Sequence, residues 1–534
     1  MYWLRSIVIW LSYGLCTFLA LRQALHMFQL NGYQDLSYGN YLRTHKKIYR
    51  GAKRVVPCVL MALGGLSINA QPLLFAAGAG LWVLVNRPQK AKKPLVYTPR
   101  VKRLLICAAV VTVAWASLTD YVSMSLMLAG LMAESGLLAM TGVVFTSVAL
   151  PLFILLQHRI IMLYNDLMTP IETGINNHYI NDARKILASR PDLKVIGITG
   201  SYGKTSTKYF LHRLLSTRYN VYMTPGNYNT TLGVTRAVRE GLRPTHEIFL
   251  CEMGARHVGD IREVCDLAKP TMGVITSVGP QHLETFGSQD RVLMGKLELA
   301  QAVKGKGPVF FNFDSPLLRE AKTGQEVISY GINGNDYTMS NLSIDENGSR
   351  FTVKAPDGTR QEFSTRLLGH ANVQNICGAI AVAHHMGIPM AVLAPAVRQL
   401  ESVPHRLQLI RQTGLTVIDD AYNSNPAGAK NALETLALCR GTRIVITPGL
   451  VELGEQELAF NRALGEQAAA CCHHLITVGS SDRVAAIQKG AREGSLHRDN
   501  IHTAATVQQA MELARGLSGD NKMVLLLNDL TDNY

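Results

Sequence analysis

Residues 194–206, KVIGITGSYGKTS, constrain the fold of this chain more than any other segment. The short apolar run at residues 195–199 predicts a buried strand, and the glycines that follow it predict a turn. Apolar residues at helical spacing after Lys204 predict a helix. A strand, a glycine turn and a helix in this order point backbone N–H groups and a helix N-terminus at a phosphate group. The segment therefore predicts a phosphate-binding loop in an α/β domain.

Two side chains of this loop have the chemistry that nucleotide phosphates require. Lys204 would neutralise the outer phosphates, and the Thr205 hydroxyl would bind Mg²⁺. The eight-residue form of such a loop needs glycine at position 198, where this chain has isoleucine, so the loop is of the shorter TGxxGKT type. The residues that we expect around the phosphates are Gly200, Ser201, Gly203, Lys204, Thr205 and Ser206.

Basic residues are concentrated in the first 165 residues of the chain. This part holds 16 lysines and arginines against three acidic residues, which accounts for nearly all of the formal net charge of +14. The remainder is close to neutral, so the composition gives no argument for a nucleic-acid partner. Basic runs at residues 43–54 and 87–103 alternate with apolar runs, as is typical of cytoplasmic loops beside anionic lipid.

The apolar runs predict a membrane-spanning region of about four or five helices at residues 1–165. Residues 55–85 allow two interpretations, either two short helices that turn at residues 69–72 or one long tilted helix. A linker of about ten residues, 157–166, is expected to join this region to the soluble part. The apolar runs lie at residues 3–21, 55–85, 104–119 and 137–156, with a weaker piece between Asp120 and Glu134.

Strands and helices alternate from about residue 166 onward, which predicts an α/β fold. We expect a central P-loop mononucleotide-binding sheet domain at residues 166–411 and a C-terminal Rossmann-like α/β domain at residues 412–534. Turn signals within residues 326–366 predict hairpins on the flank of the first sheet. The predicted strands lie at residues 195–199, 220–223, 247–251, 272–276, 309–311, 415–418, 443–447, 475–478 and 523–527.

Polar residues follow two of the predicted strands. In an open parallel sheet, ligands gather beyond the carboxyl ends of the strands. Glu252 lies at such an end and is expected to bind the nucleotide's Mg²⁺, with a structural salt bridge as the alternative. His282 lies past the next strand and is expected to bind a second Mg²⁺, with an ordinary loop histidine as the alternative.

Nine segments, taken in order, resemble the Mur ligases, the ATP-dependent enzymes that add amino acids to the peptidoglycan stem peptide. The likeness is closest to the type that adds D-alanyl-D-alanine, and it covers roughly residues 190–460. The segments are GITGSYGKTSTK (197–208), TPGNYNTTLGV (224–234), EMGA (252–255), ITSVGPQHLETFGS (275–288), GKLELA (295–300), GHANVQN (369–375), HRLQ (405–408), DDAYNSNP (419–426) and VELGE (451–455).

The resemblance implies an ATP-dependent acid–amino-acid ligase that joins a carboxylate to an amine through an acyl phosphate. ATP and two Mg²⁺ ions would be its cofactors. Lys296 matches a lysine that CO₂ carbamylates in family members, which would turn it into an anionic metal ligand. Arg406 matches an arginine that contacts phosphate or ribose. The residues implied in catalysis are Lys204, Lys296, His282 and Arg406, and the implied metal ligands are Thr205, Glu252, His282 and carbamylated Lys296.

Further residues are implied at the nucleotide. Asn372 and Asn375 match positions near the adenine, whose edge needs a group that both donates and accepts hydrogen bonds. Asp420 and Asn423 match the segment that brings the third domain over the ATP, where Arg406 also lies.

The membrane sequence stands where soluble Mur ligases carry a domain that binds a uridine-nucleotide sugar. We therefore expect an enzyme of the bacterial cytoplasmic membrane, with its catalytic domains on the cytoplasmic side. Its partners would be membrane lipid, a carboxylate acceptor and an amine such as an amino acid. The acceptor is either lipid-linked, or the spans only localise the enzyme to a partner complex. Two other functions stay open: a membrane transport ATPase, and a non-catalytic, membrane-tethered homologue that acts as a scaffold.

Overall fold

A computed structural model of the chain describes residues 2–46, 51–87, 93–345, 347–422 and 424–529. The chain divides into two compact units. Among the described residues, the first unit ends at Asn176 and the second begins at Asn177.

The first unit is helical in its described residues. Among these residues, three helices are long and apolar enough to cross a membrane, by length and composition: Leu4–Leu30, Pro99–Met132 and Gly136–Ala188. The helices are α1 (Tyr2–Leu30), α2 (Asp35–Thr44), α3 (Ala52–Ala62), α4 (Gln71–Val85), α5 (Pro99–Met132) and α6 (Gly136–Ala188), the last of which continues into the second unit.

Residues 55–85 form two helices, α3 and α4, so the structure has the first of the two arrangements that the sequence allowed. A short 3₁₀ turn, Leu63–Leu66, follows α3, and a proline lies in the first turn of α4. Gly64 packs closely on Gln71, because a Cβ atom at Gly64 would lie 3.1 Å from the Gln71 Cα. The absence of a side chain at Gly64 therefore suits this close packing.

The structure joins two of the apolar pieces in this region and shows that one expectation, the linker, is wrong. The run at residues 104–119 and the piece after it form one continuous helix, α5, which contains Asp120 and ends at Met132. The expected linker at residues 157–166 is instead part of the 53-residue helix α6. A single carboxylate costs a helix little, so Asp120 does not end α5. The chain turns at Glu134, whose φ is 52°.

Polar side chains join the helices of the first unit. The Gln71 amide nitrogen donates to the Ser147 hydroxyl at 2.7 Å, and the Gln71 amide oxygen accepts from the Arg5 Nε at 2.9 Å. Arg103 forms an ion pair with Glu172 at 2.6 Å. Such contacts are expected where polar groups face the interior of an apolar helix bundle.

The second unit contains two mainly parallel sheets, and the predicted α/β fold class is confirmed. The first sheet has the order β2-β3-β1-β4-β5-β6-β7-β8-β9, and β7, β8 and β9 form the expected antiparallel hairpins. Its strands are β1 (Lys194–Thr199), β2 (Val221–Met223), β3 (Ile248–Glu252), β4 (Met272–Ile275), β5 (Val309–Asn312), β6 (Val327–Gly331), β7 (Tyr337–Asp345), β8 (Gly348–Lys354) and β9 (Arg360–Thr365).

Helices cover both faces of the first sheet. Along β1, Ile196 and Ile198 pack with one apolar cluster and Val195 packs with another, as the two-residue period of a strand requires. The helices are α7 (Lys204–Leu215), α8 (Thr231–Gly241), α9 (Asp260–Ala268), α10 (Leu283–Phe286), α11 (Gln289–Val303), α12 (Pro316–Glu320), α13 (His370–His385) and α14 (Met390–Arg398).

The second sheet has the order β10-β11-β15-β12-β13-β14, in which only β10 is antiparallel to its neighbour. The sequence did not predict the two edge strands, β10 and β14. Its strands are β10 (Gln408–Gln412), β11 (Leu415–Asp420), β12 (Arg443–Thr447), β13 (His474–Val478), β14 (Ile501–Ala504) and β15 (Lys522–Leu527). Its helices are α15 (Pro426–Ala437), α16 (Glu457–Cys471), α17 (Asp482–Glu493) and α18 (Val507–Gly516).

Candidate nucleotide and metal site

The loop between β1 and α7 requires glycine at two positions. Gly203 has a left-handed backbone with φ of 82°, and a Cβ atom there would lie 2.4 Å from the Asn375 Oδ1. A Cβ atom at Gly200 would lie 2.1 Å from the Thr276 Oγ1. Side chains at these positions would displace Asn375 or Thr276, so the loop depends on its glycines.

Hydrogen bonds hold this loop against residues 276–279. The Ser201 hydroxyl donates to the Gly279 carbonyl and accepts from the Gly279 N–H, each at 3.0 Å. The Tyr202 N–H donates to the Ser277 hydroxyl at 2.9 Å. Ser201 is thus a buried residue whose hydrogen bonds fix the position of the loop. Ser206 is also buried, within α7.

Lys204 is the first residue of α7 and lies across the loop. Its Nζ donates to the Gly200 carbonyl at 2.5 Å and to the Ser201 carbonyl at 3.3 Å. Burial lowers the pKa of the Lys204 ammonium to about 8, although Glu252 opposes this shift and Arg406 adds to it. The first four N–H groups of a helix have no partner within the helix. A cation and a helix N-terminus therefore adjoin each other, as a phosphate site needs.

Glu252 forms the salt bridge that was the alternative to metal binding, and its role at Mg²⁺ stays a prediction. Its Oε1 accepts from the Thr205 hydroxyl at 3.1 Å and from the Asn229 amide at 3.3 Å. Its Oε2 lies 2.9 Å from the Lys208 Nζ, and both side chains are at most 1% exposed. The Lys208 Nζ also donates to the Gly226 carbonyl at 2.5 Å. The carboxylate is thus in a buried salt bridge and also beside the hydroxyl that we expect at Mg²⁺.

His282 contacts a residue from the second sheet. Its Nδ1 hydrogen-bonds to the Glu452 carboxylate. The Arg256 Nη2 donates to the other oxygen of that carboxylate at 3.2 Å. Burial lowers the pKa of His282, whereas Glu452 opposes the shift and the charges of Arg256 and Lys204 add to it.

Lys296 is buried in α11 and is 1% exposed. Burial lowers its pKa well below the usual range, and Lys204 lowers it further, while Asp260 and Glu298 oppose the shift. The nearby Glu298 carboxylate instead caps α9, because it accepts from the N–H groups of Gly259 and Arg262 at 2.6 and 2.9 Å. The lowered pKa therefore favours the neutral amine form of Lys296.

Arg406 lies just before β10, and Asp420 is the last residue of β11. The Arg406 guanidinium lies over the Tyr422 ring, 4.5 Å from its centre. Burial raises the pKa of Asp420 to about 7, although Arg406 and the Leu407 N–H oppose the shift. The Asn425 amide lies 3.5 Å from the Ser201 carbonyl. Asn423 lies outside the described residues.

The two asparagines expected near the adenine have different surroundings. The Asn372 amide donates to the Leu368 carbonyl at 2.9 Å within α13. Asn375 lies against the phosphate loop at Gly203. Their role at the adenine stays a prediction.

The expected residues converge on Lys204. Its charge acts on the pKa of His282 and of Lys296, while Glu252 and Arg406 act on its own. In the described part of the chain, no group of three or more His, Cys, Asp and Glu side chains could hold a metal ion by itself. The Thr205 hydroxyl and the Glu252 carboxylate nevertheless supply oxygen ligands, which suit Mg²⁺ bound together with phosphate.

Four residues of the site were given no role in the sequence analysis. Lys208 and Asn229 bind Glu252, and Arg256 and Glu452 surround His282. Lys208, Asn229 and Glu452 lie within matched segments, but their partners are distant in sequence. These contacts become visible only in the folded structure, where the order and register of the strands bring the partners together.

Two family models match this part of the chain. The Mur ligase middle domain matches residues 198–383, and the Mur ligase glutamate ligase domain matches residues 405–528. Together these matches cover more than half of the chain. The chain belongs to the Mur ligase family. The resemblance inferred from the sequence is therefore confirmed.

The similar proteins include ligases of the D-alanyl-D-alanine-adding type. The UDP-N-acetylmuramoyl-tripeptide–D-alanyl-D-alanine ligase of Bacillus subtilis (strain 168) is 35% identical over 276 residues, which are 51% of this chain and 59% of that protein. The chain thus spans about three-fifths of that Mur ligase's length.

Two solved structures of family members are also similar. MurF from Acinetobacter baumannii has a TM-score of 0.60 and 25% identity, over 66% of this chain and 77% of that one. MurF from Thermotoga maritima in complex with ADP has a TM-score of 0.59 and 25% identity, over 66% of this chain and 80% of that one.

We predict that Lys208→Met lowers the free energy of unfolding by about 3–5 kcal/mol, because it leaves the buried Glu252 carboxylate without its counter-charge. Chemical denaturation of the detergent-solubilised protein, followed by circular dichroism, measures the change. Lys430→Met is the matched control. Its Nζ lies 3.9 Å from Glu434 on an exposed helix face, and we expect its removal to cost about 1 kcal/mol or less. Equal losses in the two variants would contradict a special role for the buried pair.

Proposed function

We propose that this protein is a membrane-anchored, ATP-dependent carboxylate–amine ligase that acts on a cell-wall peptide or a related lipid-linked precursor. The observation that carries the proposal is the convergence at one sheet edge. There the N-terminus of α7, the Lys204 ammonium and the Thr205–Glu252 pair adjoin one another. The names of the similar ligases support the reaction class.

ATP and Mg²⁺ fit the residues at this edge. Thr205 and Glu252 would hold one ion, and His282 with carbamylated Lys296 would hold a second. Mg²⁺, when bound, would neutralise charge on the phosphate oxygens. Lys204 and the open N–H groups of α7 would hold the outer phosphates, and Arg406 would lie at the phosphate or ribose.

The proposed reaction has two transfers. A substrate carboxylate oxygen attacks the γ-phosphorus of ATP, the bond to the β-phosphate oxygen breaks, and ADP leaves. The amine then attacks the acyl carbon of the resulting acyl phosphate, phosphate leaves, and the nitrogen loses a proton. Lys204 would stabilise the charge that moves between oxygens, because a fixed cation in a site shielded from water acts strongly on developing charge.

The surroundings of Lys296 support its carbamylation. Only an uncharged amine attacks CO₂, and burial together with the charge of Lys204 lowers the pKa of Lys296 and so favours its uncharged form. The nitrogen would bond to the carbon of CO₂ and lose a proton, which leaves an anionic carbamate. An anion would be stable beside Lys204 and two divalent ions, whereas a lysine cation would not.

Two features support a location at the bacterial cytoplasmic membrane. Three helices have the length and composition of membrane spans, and the basic residues at 43–54 and 87–103 are typical of cytoplasmic loops. The family matches start only at residue 198, so the membrane helices precede the catalytic part in the chain. Such helices would help the enzyme to reach a carboxylate acceptor that is linked to a lipid.

We predict that Lys204→Ala lowers ATP turnover by at least about 100-fold while the protein stays folded, because a group that stabilises transition-state charge is lost. ADP release, measured with the carboxylate and amine substrates supplied together, gives the rate. Lys306→Ala is the control, since that lysine is an exposed residue beyond the end of α11 whose Nζ donates to the Ala302 carbonyl. Near-normal turnover in Lys204→Ala would disprove the phosphate-loop assignment.

The substrates that ADP release requires distinguish the proposed ligase from a transport ATPase and from a non-catalytic scaffold. A ligase sustains ADP release over many turnovers only when both a carboxylate and an amine are present, and the mass of the product shows the new amide. A transport ATPase would release ADP without an amine, and a scaffold would release none.

We predict that Lys296→Ala is inactive and that short carboxylic acids partly restore its activity, because a small carboxylate replaces the missing carbamate between the metal ions. Lys296→Arg should be inactive as well, since a guanidinium does not form the carbamate. Turnover at increasing acetate concentration measures the rescue, and Lys304→Ala, just beyond the end of the same helix, is the control. Full activity of Lys296→Arg would show that the lysine is structural.

We predict that a shortened protein that begins at Asn177, the start of the second compact unit, binds ATP with unchanged affinity but loses most turnover on a lipid-linked acceptor. The physical reason is that the membrane helices concentrate enzyme and acceptor in the same bilayer. Turnover in lipid vesicles, compared with that of the full-length protein, tests this. Equal rates would mean that the helices serve only as an anchor.

A further inference from the structure

The contact between His282 and Glu452 joins the two sheets of the second unit. His282 lies after β4 in the first sheet, and Glu452 lies between β12 and α16 in the second. The His282 Nδ1 and a Glu452 carboxylate oxygen form a hydrogen bond, and each side chain is about one-sixth exposed, at 15% and 16%. The metal ligand expected from the sequence therefore has a partner that is supplied by the other sheet.

Both residues have a backbone conformation that is unfavourable for residues other than glycine. The φ angles are 49° for His282 and 62° for Glu452. Left-handed backbone at such residues is uncommon and persists where the surrounding structure enforces it. The two loops thus turn sharply at the positions where their side chains meet.

Arg256 holds the Glu452 carboxylate from the other side. Its Nη2 donates to the Oε1 at 3.2 Å, while the Oε2 faces His282. A neighbouring guanidinium favours the ionised form of a carboxylate. The two oxygens of the Glu452 carboxylate therefore face the guanidinium and the imidazole, and the second acts as a hydrogen-bond acceptor for the imidazole.

This arrangement determines which nitrogen of His282 carries the proton. A carboxylate accepts a hydrogen bond, so the proton lies on Nδ1 and the lone pair lies on Nε2. Metal-binding histidines are commonly oriented in this way by a carboxylate on the nitrogen that does not bind the metal. Nε2 is then the nitrogen available to an ion.

We propose that Glu452 is a positioning residue that fixes the tautomer and the ring orientation of His282, so that the second metal site is complete only when the second sheet is docked on the first. The proposal rests on the proposed function in one respect, which is that His282 binds a metal ion. It adds that docking of the second sheet and binding of that ion stabilise each other, because a coupling between two sites is reciprocal.

The test measures metal binding by the full-length protein in lipid nanodiscs, with ADP present and without turnover. Mn²⁺ replaces Mg²⁺, because electron paramagnetic resonance counts bound Mn²⁺ and pulsed measurements detect an imidazole nitrogen bound to it. Glu452→Ala should weaken one Mn²⁺ site by about 10- to 100-fold, the range typical of groups that orient metal ligands. It should also weaken the nitrogen coupling.

Glu452→Gln is the conservative variant. Its amide oxygen still accepts the proton of Nδ1, so it should retain affinity closer to that of the unaltered protein than Glu452→Ala does. His282→Ala should abolish the nitrogen coupling. The double variant His282→Ala with Glu452→Ala should bind Mn²⁺ no more weakly than His282→Ala alone, since Glu452 acts through the histidine.

A contact that only holds the sheets together would give a different pattern. Removal of Glu452 would then weaken binding further in the His282→Ala background, and this additive result would overturn the proposal. Unchanged Mn²⁺ affinity in a folded Glu452→Ala protein would overturn it as well. If His282→Ala keeps the nitrogen coupling, His282 is not a ligand, and the metal assignment within the proposed function fails together with the inference. If the nitrogen coupling is lost in His282→Ala but unchanged in Glu452→Ala, only the role of Glu452 is refuted.

Discussion

The hydrogen bonds between Ser201 and Gly279 are the interaction on which the site depends. They hold the phosphate loop after β1 against the loop after β4, and each of the two donor–acceptor distances is 3.0 Å. Because β1 has β3 and β4 as its neighbours, the same edge also receives Glu252 and His282. The position of Lys204 relative to these residues follows from that fixed loop. A phosphate loop that could move against β4 would lose this alignment.

Much of this arrangement could be predicted from the sequence, since it depends on local patterns. The buried run before Gly200 predicts a central strand, and residues that follow such strands meet at one edge of a parallel sheet. Prediction failed where residues distant in sequence act on each other. The pairing of Lys208 with Glu252 and of His282 with Glu452 depends on strand order and on the docking of two sheets, which no single segment contains. Edge strands such as β14 are short and only partly buried, so their apolar pattern is weak.

In the helical unit, the sequence predicted the presence of helices better than it predicted their ends. Apolar runs identify helices by composition, but their ends depend on packing. Asp120 lies inside α5, whereas the chain turns at Glu134. Gly130 explains part of this difference, because a Cβ atom there would lie 2.2 Å from the Ala139 nitrogen. Close contact between α5 and α6 at this glycine places the turn just beyond it.

The buried pair of Lys208 and Glu252 has a consequence for the evolution of this protein. Each side chain is almost inaccessible to water and has the opposite charge of the other within 2.9 Å. A change at either position alone leaves a charge in a medium that solvates it poorly. Glu252 is further restricted by its contacts with Thr205 and Asn229. Inherited variation at the two positions should therefore be correlated, and an ancestral lineage would exchange both residues together or retain both.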